Sequence, residues 1–149
     1  MAYYLLCEKM RIALFIIISA GFFLKIINND EIVLKQTDQS AGAQLYAKYC
    51  LTCHQADGNG VRGQFPPLAG NAKITGPSSD VIRIVLFGLE GPITVNERDY
   101  NQLMPAQGYL TDEQIASILS YIRSNWGNKA PPVTPNDVAK TRKLGKASN

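Results

Sequence analysis

Cys50-Leu51-Thr52-Cys53-His54 decides how this chain of 149 residues is read, because two thiols three positions apart are followed at once by its only histidine. Several chemistries use such a pair. A thioredoxin-like redox pair needs a strand–helix–strand context, whereas a glycine-rich stretch with no strand pattern comes next here. A structural zinc site needs four ligands, and outside the motif the only other cysteine is Cys7, far upstream. A plain disulfide leaves His54 without a role. C-x-x-C-H is the attachment motif of c-type haem: two thiols so spaced at a helix end can each add to a vinyl group of one porphyrin, while the adjacent histidine turns beneath the iron as an axial nitrogen. One covalent haem c is the expected cofactor, with Cys50 and Cys53 attaching it and His54 ligating the metal.

A haem that carries electrons needs a sixth ligand that stays through the redox cycle, and methionine sulfur suits the softer ferrous state. Met1 and Met10 lie in the N-terminal apolar segment, which leaves Met104, in Gln102-Leu103-Met104-Pro105-Ala106-Gln107-Gly108. Methionine often fills cores, but this Met-Pro sits among polar and glycine residues on no periodic apolar face. The sequence therefore points to Met104 as the second metal ligand.

Ahead of the motif, Ile12 to Leu24 is an uncharged run of thirteen residues, preceded by Lys9 and Arg11 and followed by Lys25. It is shorter than the roughly 20 apolar residues that span a bilayer, which favours a signal peptide over residues 1–27 rather than an N-terminal membrane anchor. Its cleavage site is poorly marked, and the anchor stays open because Lys25 could snorkel to the interface. Either way the flanking cations place the rest of the chain outside the cytoplasm, in the periplasm or on the outer face of the membrane. Residues 28–39 read as a polar linker.

The domain proper is expected over 40–128. Gly42, Tyr46 and Cys50 recur at four-residue spacing on one face of a first helix, and the many glycines and prolines of residues 55–76 imply an irregular loop. Ser78 or Ser79 is expected to cap a second helix carrying Val81, Ile82, Val85, Leu86 and Leu89, with Gly88 near its end. Residues 93–100 suggest a small hairpin turning at Asn96-Glu97. Thr111-Asp112-Glu113-Gln114 is a capping box, followed by Ile115, Ile118, Leu119, Ile122 and Trp126 on one helical stripe that Gly127 ends. Residues 129–149 form a Pro-containing basic extension with a short helix over 136–144, and composition alone makes it a solvated tail. The fold class is all-α, with three to five helices around one haem and a small β-hairpin.

Composition narrows the function. Fifteen Lys and Arg against 12 Asp and Glu give a net charge of +3, well short of the basic excess of a nucleic-acid binder. Five cations in 129–149 face only Asp137, so the body is mildly acidic and the tail basic.

From Ser40 to Trp126, with C-x-x-C-H near the N-terminal end and the methionine loop before the last helix, the chain resembles the class I cytochromes c. The resemblance implies that Gly42 and Tyr46 cross Ile118 and Tyr121 where the first and last helices pack. It also implies that the Pro66 carbonyl accepts from the His54 ring nitrogen that does not bind iron, and that Leu68 packs on the porphyrin. Within the family, the glycine-rich loop, the hairpin and the Tyr121–Gly127 ending resemble cytochrome subunits associated with bacterial dehydrogenases, copper nitrite reductases and terminal oxidases. Asn96-Glu97 departs from the Asn-Gly turn expected there, which suggests a longer or less regular hairpin.

These readings converge on single-electron transfer between extracytoplasmic redox partners, a dehydrogenase, reductase or oxidase, rather than on an enzyme. An apolar pocket from Leu68, Val85, Leu86 and Ile118 would favour the reduced form. The rivals are a haem subunit fixed in a membrane-bound oxidoreductase and a gas-binding or peroxide-reacting haem protein with a labile sixth ligand. Met104 argues against the last, and a peroxide site would want a distal histidine that the chain lacks or one of Arg62, Arg83 and Arg98.

Overall fold

A computed structural model describes residues 40–145. The apolar run, the linker, Cys7, Met1 and Met10 lie outside the described residues, as does the end of the chain from residue 146. Among the described residues no helix is long and apolar enough to cross a membrane.

Six helices and one hairpin make up the described part. Helix α1 covers residues 40–49, and after a turn at Cys50 the chain continues as α2 (Leu51–His54), whose bonds from Cys50 N–H to the Tyr46 carbonyl and from His54 N–H to the Cys50 carbonyl keep the thiol motif in helical geometry. A loop then leads to α3 (Ala72–Thr75), α4 (Ser78–Phe87), the hairpin strands β1 (Ile93–Val95) and β2 (Arg98–Tyr100), and the helices α5 (Asp112–Ser124) and α6 (Pro135–Leu144).

Helices α1 and α5 meet at Gly42. A Cβ there would press on the Ser117 carbonyl and come within 2.8 Å of the Tyr121 Cβ, so the absent side chain lets two backbones touch. One turn on, the Tyr46 and Tyr121 rings lie 5.5 Å apart. The expected crossing of α1 with α5 is present, with Ser117 rather than Ile118 against the glycine.

Helix α5 begins as its sequence dictates. The Thr111 hydroxyl accepts from Gln114 N–H and the Gln114 side chain accepts from Thr111 N–H, a complete capping box. Ile115, Ile118, Leu119 and Ile122 are all buried. The helix stops at Ser124, however, and Trp126 stands outside it with φ +53. Its indole instead packs 5.1 Å from the Tyr46 ring, and its Nε1–H donates to the Ala56 carbonyl. Aromatic packing and that bond outweigh the backbone preference there.

Three further expectations are corrected. Pro77, not Ser78 or Ser79, is the N-cap of α4, and no side chain caps that end; proline's fixed φ suits the entry. The stretch after His54 is not wholly irregular, because Asn71 caps the single-turn helix α3 by accepting from Lys73 N–H. The hairpin is regular: Ile93 pairs with Tyr100, Thr94 with Asp99 and Val95 with Arg98, closed by two residues at φ +48 and +60. That is the geometry of a tight primed turn, which normally asks for glycine at the second position. Glu97 holds it under strain, so Glu97→Gly is expected to stabilise the protein by about 0.5–1 kcal/mol once glycine's extra unfolded entropy is offset. A denaturant midpoint unchanged or lowered in that variant would show that the turn carries no such strain.

The stretch after residue 128 is built into the fold through its described end. Thr134 and Asp137 form a second capping box, Val138 is fully buried, and Val133 joins the same core as α4 and α5. A basic composition gives no sign of this, because the short helix docks through only two buried side chains, Val138 and Thr141.

Candidate haem site

One cleft, partly open to solvent, lies between the thiol motif, the loop after it, α4, the hairpin, the Met104 loop and α5. Cys50, Cys53, His54, Pro66, Leu68 and Met104 all line it. The remaining wall is nearly all apolar, including Val85 and Ile118. Leu86, expected in the pocket, is buried elsewhere in the core and does not reach the cleft. None of Arg62, Arg83 and Arg98 lines it.

His54 sits at the C-terminal end of α2, and its Nδ1 lies 3.0 Å from the Pro66 carbonyl oxygen. A carbonyl can only accept, so Nδ1 carries the proton and, in the neutral ring, Nε2 keeps the free lone pair. Burial holds the imidazole pKa below its ordinary value, with the Pro66 bond working the other way. The ring is thus neutral near pH 7 and available as a ligand. Gly60 makes the approach possible: a Cβ there would meet the Phe65 carbonyl and come within 2.7 Å of the Pro66 oxygen. The loop is closed by the paired bonds between Val61 and Phe65 and by the Gly58 carbonyl, which accepts from Leu68 and Ala69 N–H.

Cys50 is half-buried, and burial, with Cys53 beside it, pushes its thiol pKa up to about 11. A thiol so placed is a poor nucleophile in the folded chain. The Tyr46 phenol is likewise raised, chiefly by burial, and donates to the Gln55 carbonyl at 2.6 Å. This bond ties the end of the thiol motif to the α1–α5 contact.

Met104 is held through its backbone. Met104 N–H donates to the Leu89 carbonyl at 2.9 Å and Leu89 N–H returns the bond at 3.0 Å, while Gln107 N–H donates to the Val85 carbonyl. The loop is therefore stitched to the end of α4 whatever its side chains do. The hairpin contributes Ile93, Val95 and Tyr100 to the cleft wall, as its alternation places these side chains on one face.

Two positioning residues carry no signal in the sequence. Asn128 is buried; its amide donates to the Leu68 and Ile122 carbonyls and its oxygen accepts from Gly70 N–H, which fastens the Leu68 loop to α5. Arg123 is buried too, donating to the carbonyls of Ile74, Gly76 and Pro131, and desolvation lowers its pKa. Both bind main-chain groups 47 to 60 residues away, apart from nearer bonds to Ile122 and Pro131, and no local pattern announces such partners.

Two thiols, a neutral imidazole and a thioether around an apolar slot form the donor set that an iron porphyrin takes, and among the described residues no cluster of three or more His, Cys, Asp or Glu side chains converges on a metal ion. Comparison with known proteins shows the family. The sequence profile of the family described as cytochrome c matches residues 39–126. The chain is similar to cytochrome c-552 of Thermus thermophilus, 40% identical over 113 residues that cover 70% of this chain and 86% of the relative. It is also similar to the cytochrome c subunit of the quinone-type alcohol dehydrogenase of Gluconobacter oxydans, 38% identical over 109 residues covering 71% of this chain, and to the fructose dehydrogenase cytochrome subunit of Gluconobacter japonicus, 39% identical over 119 residues covering 74%. The match spans only 23% and 24% of those two subunits. A thiol-histidine motif in an apolar cleft, a helical frame with one small hairpin and these likenesses converge: the chain belongs to the cytochrome c family, carries one covalently attached haem c, and transfers electrons rather than catalysing a reaction of its own.

Proposed function

We propose that Cys50 and Cys53 form the thioether links, that His54 and Met104 are the axial ligands, and that the protein passes single electrons between redox proteins outside the cytoplasm. The observation that carries this is the His54–Pro66 hydrogen bond of 3.0 Å in the same cleft as Met104. Haem supplies the one-electron ferric/ferrous couple when bound. The chain's own groups set its conditions: Pro66 orients the imidazole and makes its Nε2 more basic, Met104 offers a soft sulfur, and Leu68, Val85 and Ile118 keep water from the cleft. Methionine ligation and an apolar wall both raise the reduction potential.

Leu103, Tyr109 and Leu51 are exposed apolar side chains, and Leu103 also lines the cleft. They suit the small, short-lived contact of a carrier. The similarity to dehydrogenase cytochrome subunits favours a dehydrogenase as electron donor, met either as a free partner or in a complex. The N-terminal apolar run would export the domain and, if uncleaved, tether it to the membrane.

Optical spectra of the purified holoprotein test the ligation. An iron–methionine charge-transfer band in the ferric form, with no response of the ferrous form to carbon monoxide, is expected. Ready carbon monoxide binding by the unmodified protein would remove Met104 from the iron and bring the gas-binding reading forward.

A further inference from the structure

We infer that Arg142 is a positioning residue for the Met104 loop, holding the sulfur in place against competing ligands; this rests on the His54/Met104 ligation proposed above. The inference starts from where the guanidinium goes. Arg142 lies on α6, outside the stretch that matches the cytochrome c profile. Its Nη1 donates to the Gly108 carbonyl at 2.6 Å and its Nη2 to the Leu110 carbonyl at 2.9 Å, while its Nε donates to Asp112 Oδ1 at 2.9 Å. Asp112 also pairs with Nη2 at 2.9 Å. One planar fork therefore grips the exit of the Met104 loop and the first turn of α5 together, a task the fixed geometry of arginine suits and lysine does not.

The loop has two points of attachment on its other side. Leu89 and Val85 bond it to the end of α4, and Gly108 lies so close to α4 that a Cβ there would come within 2.7 Å of the Leu86 carbonyl. Gly108 is thus sandwiched between α4 and the Arg142 guanidinium. Lifting of the loop is one way for Met104 to leave, and the loop's C-terminal end can lift only by breaking the charge-assisted bonds at Arg142. Helix α6 is seated to bear that load: Val138 is fully buried and Thr141 nearly so, and Asp137 and Thr134 lock its start.

Imidazole, which enters the ferric iron only when the methionine leaves, reads the fraction of open loop directly, because its apparent affinity scales with that fraction. Ferric Arg142→Leu holoprotein is expected to bind imidazole on the order of tenfold more tightly than the unmodified protein, through the loss of the charge-assisted bonds, and to show a weakened charge-transfer band. Arg142→Lys, which keeps the charge but not the fork, is expected to fall between. Tyr121→Leu supplies the contrast: it thins the aromatic contact with Tyr46 and Trp126, away from α6 and from the cleft wall, so thermal stability should drop while imidazole affinity stays that of the unmodified protein.

Unchanged imidazole affinity in both Arg142 variants, or an equal rise in Tyr121→Leu, would overturn the inference and reduce α6 to a stabilising strap. Met104→Ala in the same titration separates this from the underlying reading. If it binds imidazole no more tightly than the unmodified protein, Met104 is not the ligand; if it binds far more tightly and Arg142→Leu does not, the ligation stands and the clamp falls.

Discussion

Met104→Ala is expected to turn a closed haem into an open one. The ferrous variant should bind carbon monoxide that the unmodified protein excludes, its ferric form should lose the charge-transfer band, and its reduction potential should fall by on the order of 0.1 V, well within the roughly 0.8 V range that axial ligands set. The experiment is clean because the backbone holds the loop without the sulfur. The paired bonds between Met104 and Leu89 and the bond from Gln107 N–H to the Val85 carbonyl involve no Met104 side-chain atom. Met104 is half-buried against the core, so truncation should cost about 2 kcal/mol, the low end for a methionine, which a folded holoprotein can bear. A variant that folds, keeps its haem and still excludes carbon monoxide would mean another group occupies that position. Gln102 and Gln107 also line the cleft and would be the first to replace.

Legible in the sequence is what local rules encode. The thiol-histidine motif, the capping box at Thr111 and the apolar stripe Ile115, Ile118, Leu119 and Ile122 depend on spacing within a few residues, and each stands where that spacing predicts. The departures share a cause in contacts distant along the chain. Trp126 falls on the α5 stripe by period, yet the pull of Tyr46 and the Ala56 carbonyl takes it off the helix. Glu97 is the wrong residue for a tight turn, yet the pairing of Ile93 with Tyr100 and a Thr94–Asp99 side-chain bond of 2.8 Å close the turn over it. Asn128, Arg123 and Arg142 are invisible to local rules because their partners are mostly main-chain groups, which every residue offers and no sequence marks. In the candidate site the groups suited to bond iron or porphyrin are legible, whereas the groups that fix their loops are not.

The largest effect is expected from replacing Cys50 and Cys53 together by alanine: haem becomes extractable by acid and organic solvent, and the haem-free chain loses most of its helical ellipticity. The reason lies in which side chains do two jobs. Leu68, Ile74, Val81, Val85, Ile118 and Leu119 belong to the buried core and also line the cleft. Without a porphyrin between them, the core has a wall facing water instead of an opposing layer, and the apolar transfer that drives folding is lost where it is concentrated. The helices cannot compensate by themselves. α2 and α3 have four residues each, α4 and α6 ten, and α5 thirteen, while isolated helices shorter than about 12–15 residues are marginal in water. Against a total stability on the order of 5–15 kcal/mol for a domain of this kind, exposing that wall is decisive. Single replacement of either cysteine leaves one thioether and should leave a folded protein, which separates loss of the cofactor from damage by alanine. If the haem-free double variant unfolded cooperatively on heating with native ellipticity beforehand, the aromatic lock of Tyr46, Tyr121 and Trp126 and the α4–α5–α6 packing would together be sufficient for the fold, and the haem would be a guest in it rather than half of its core.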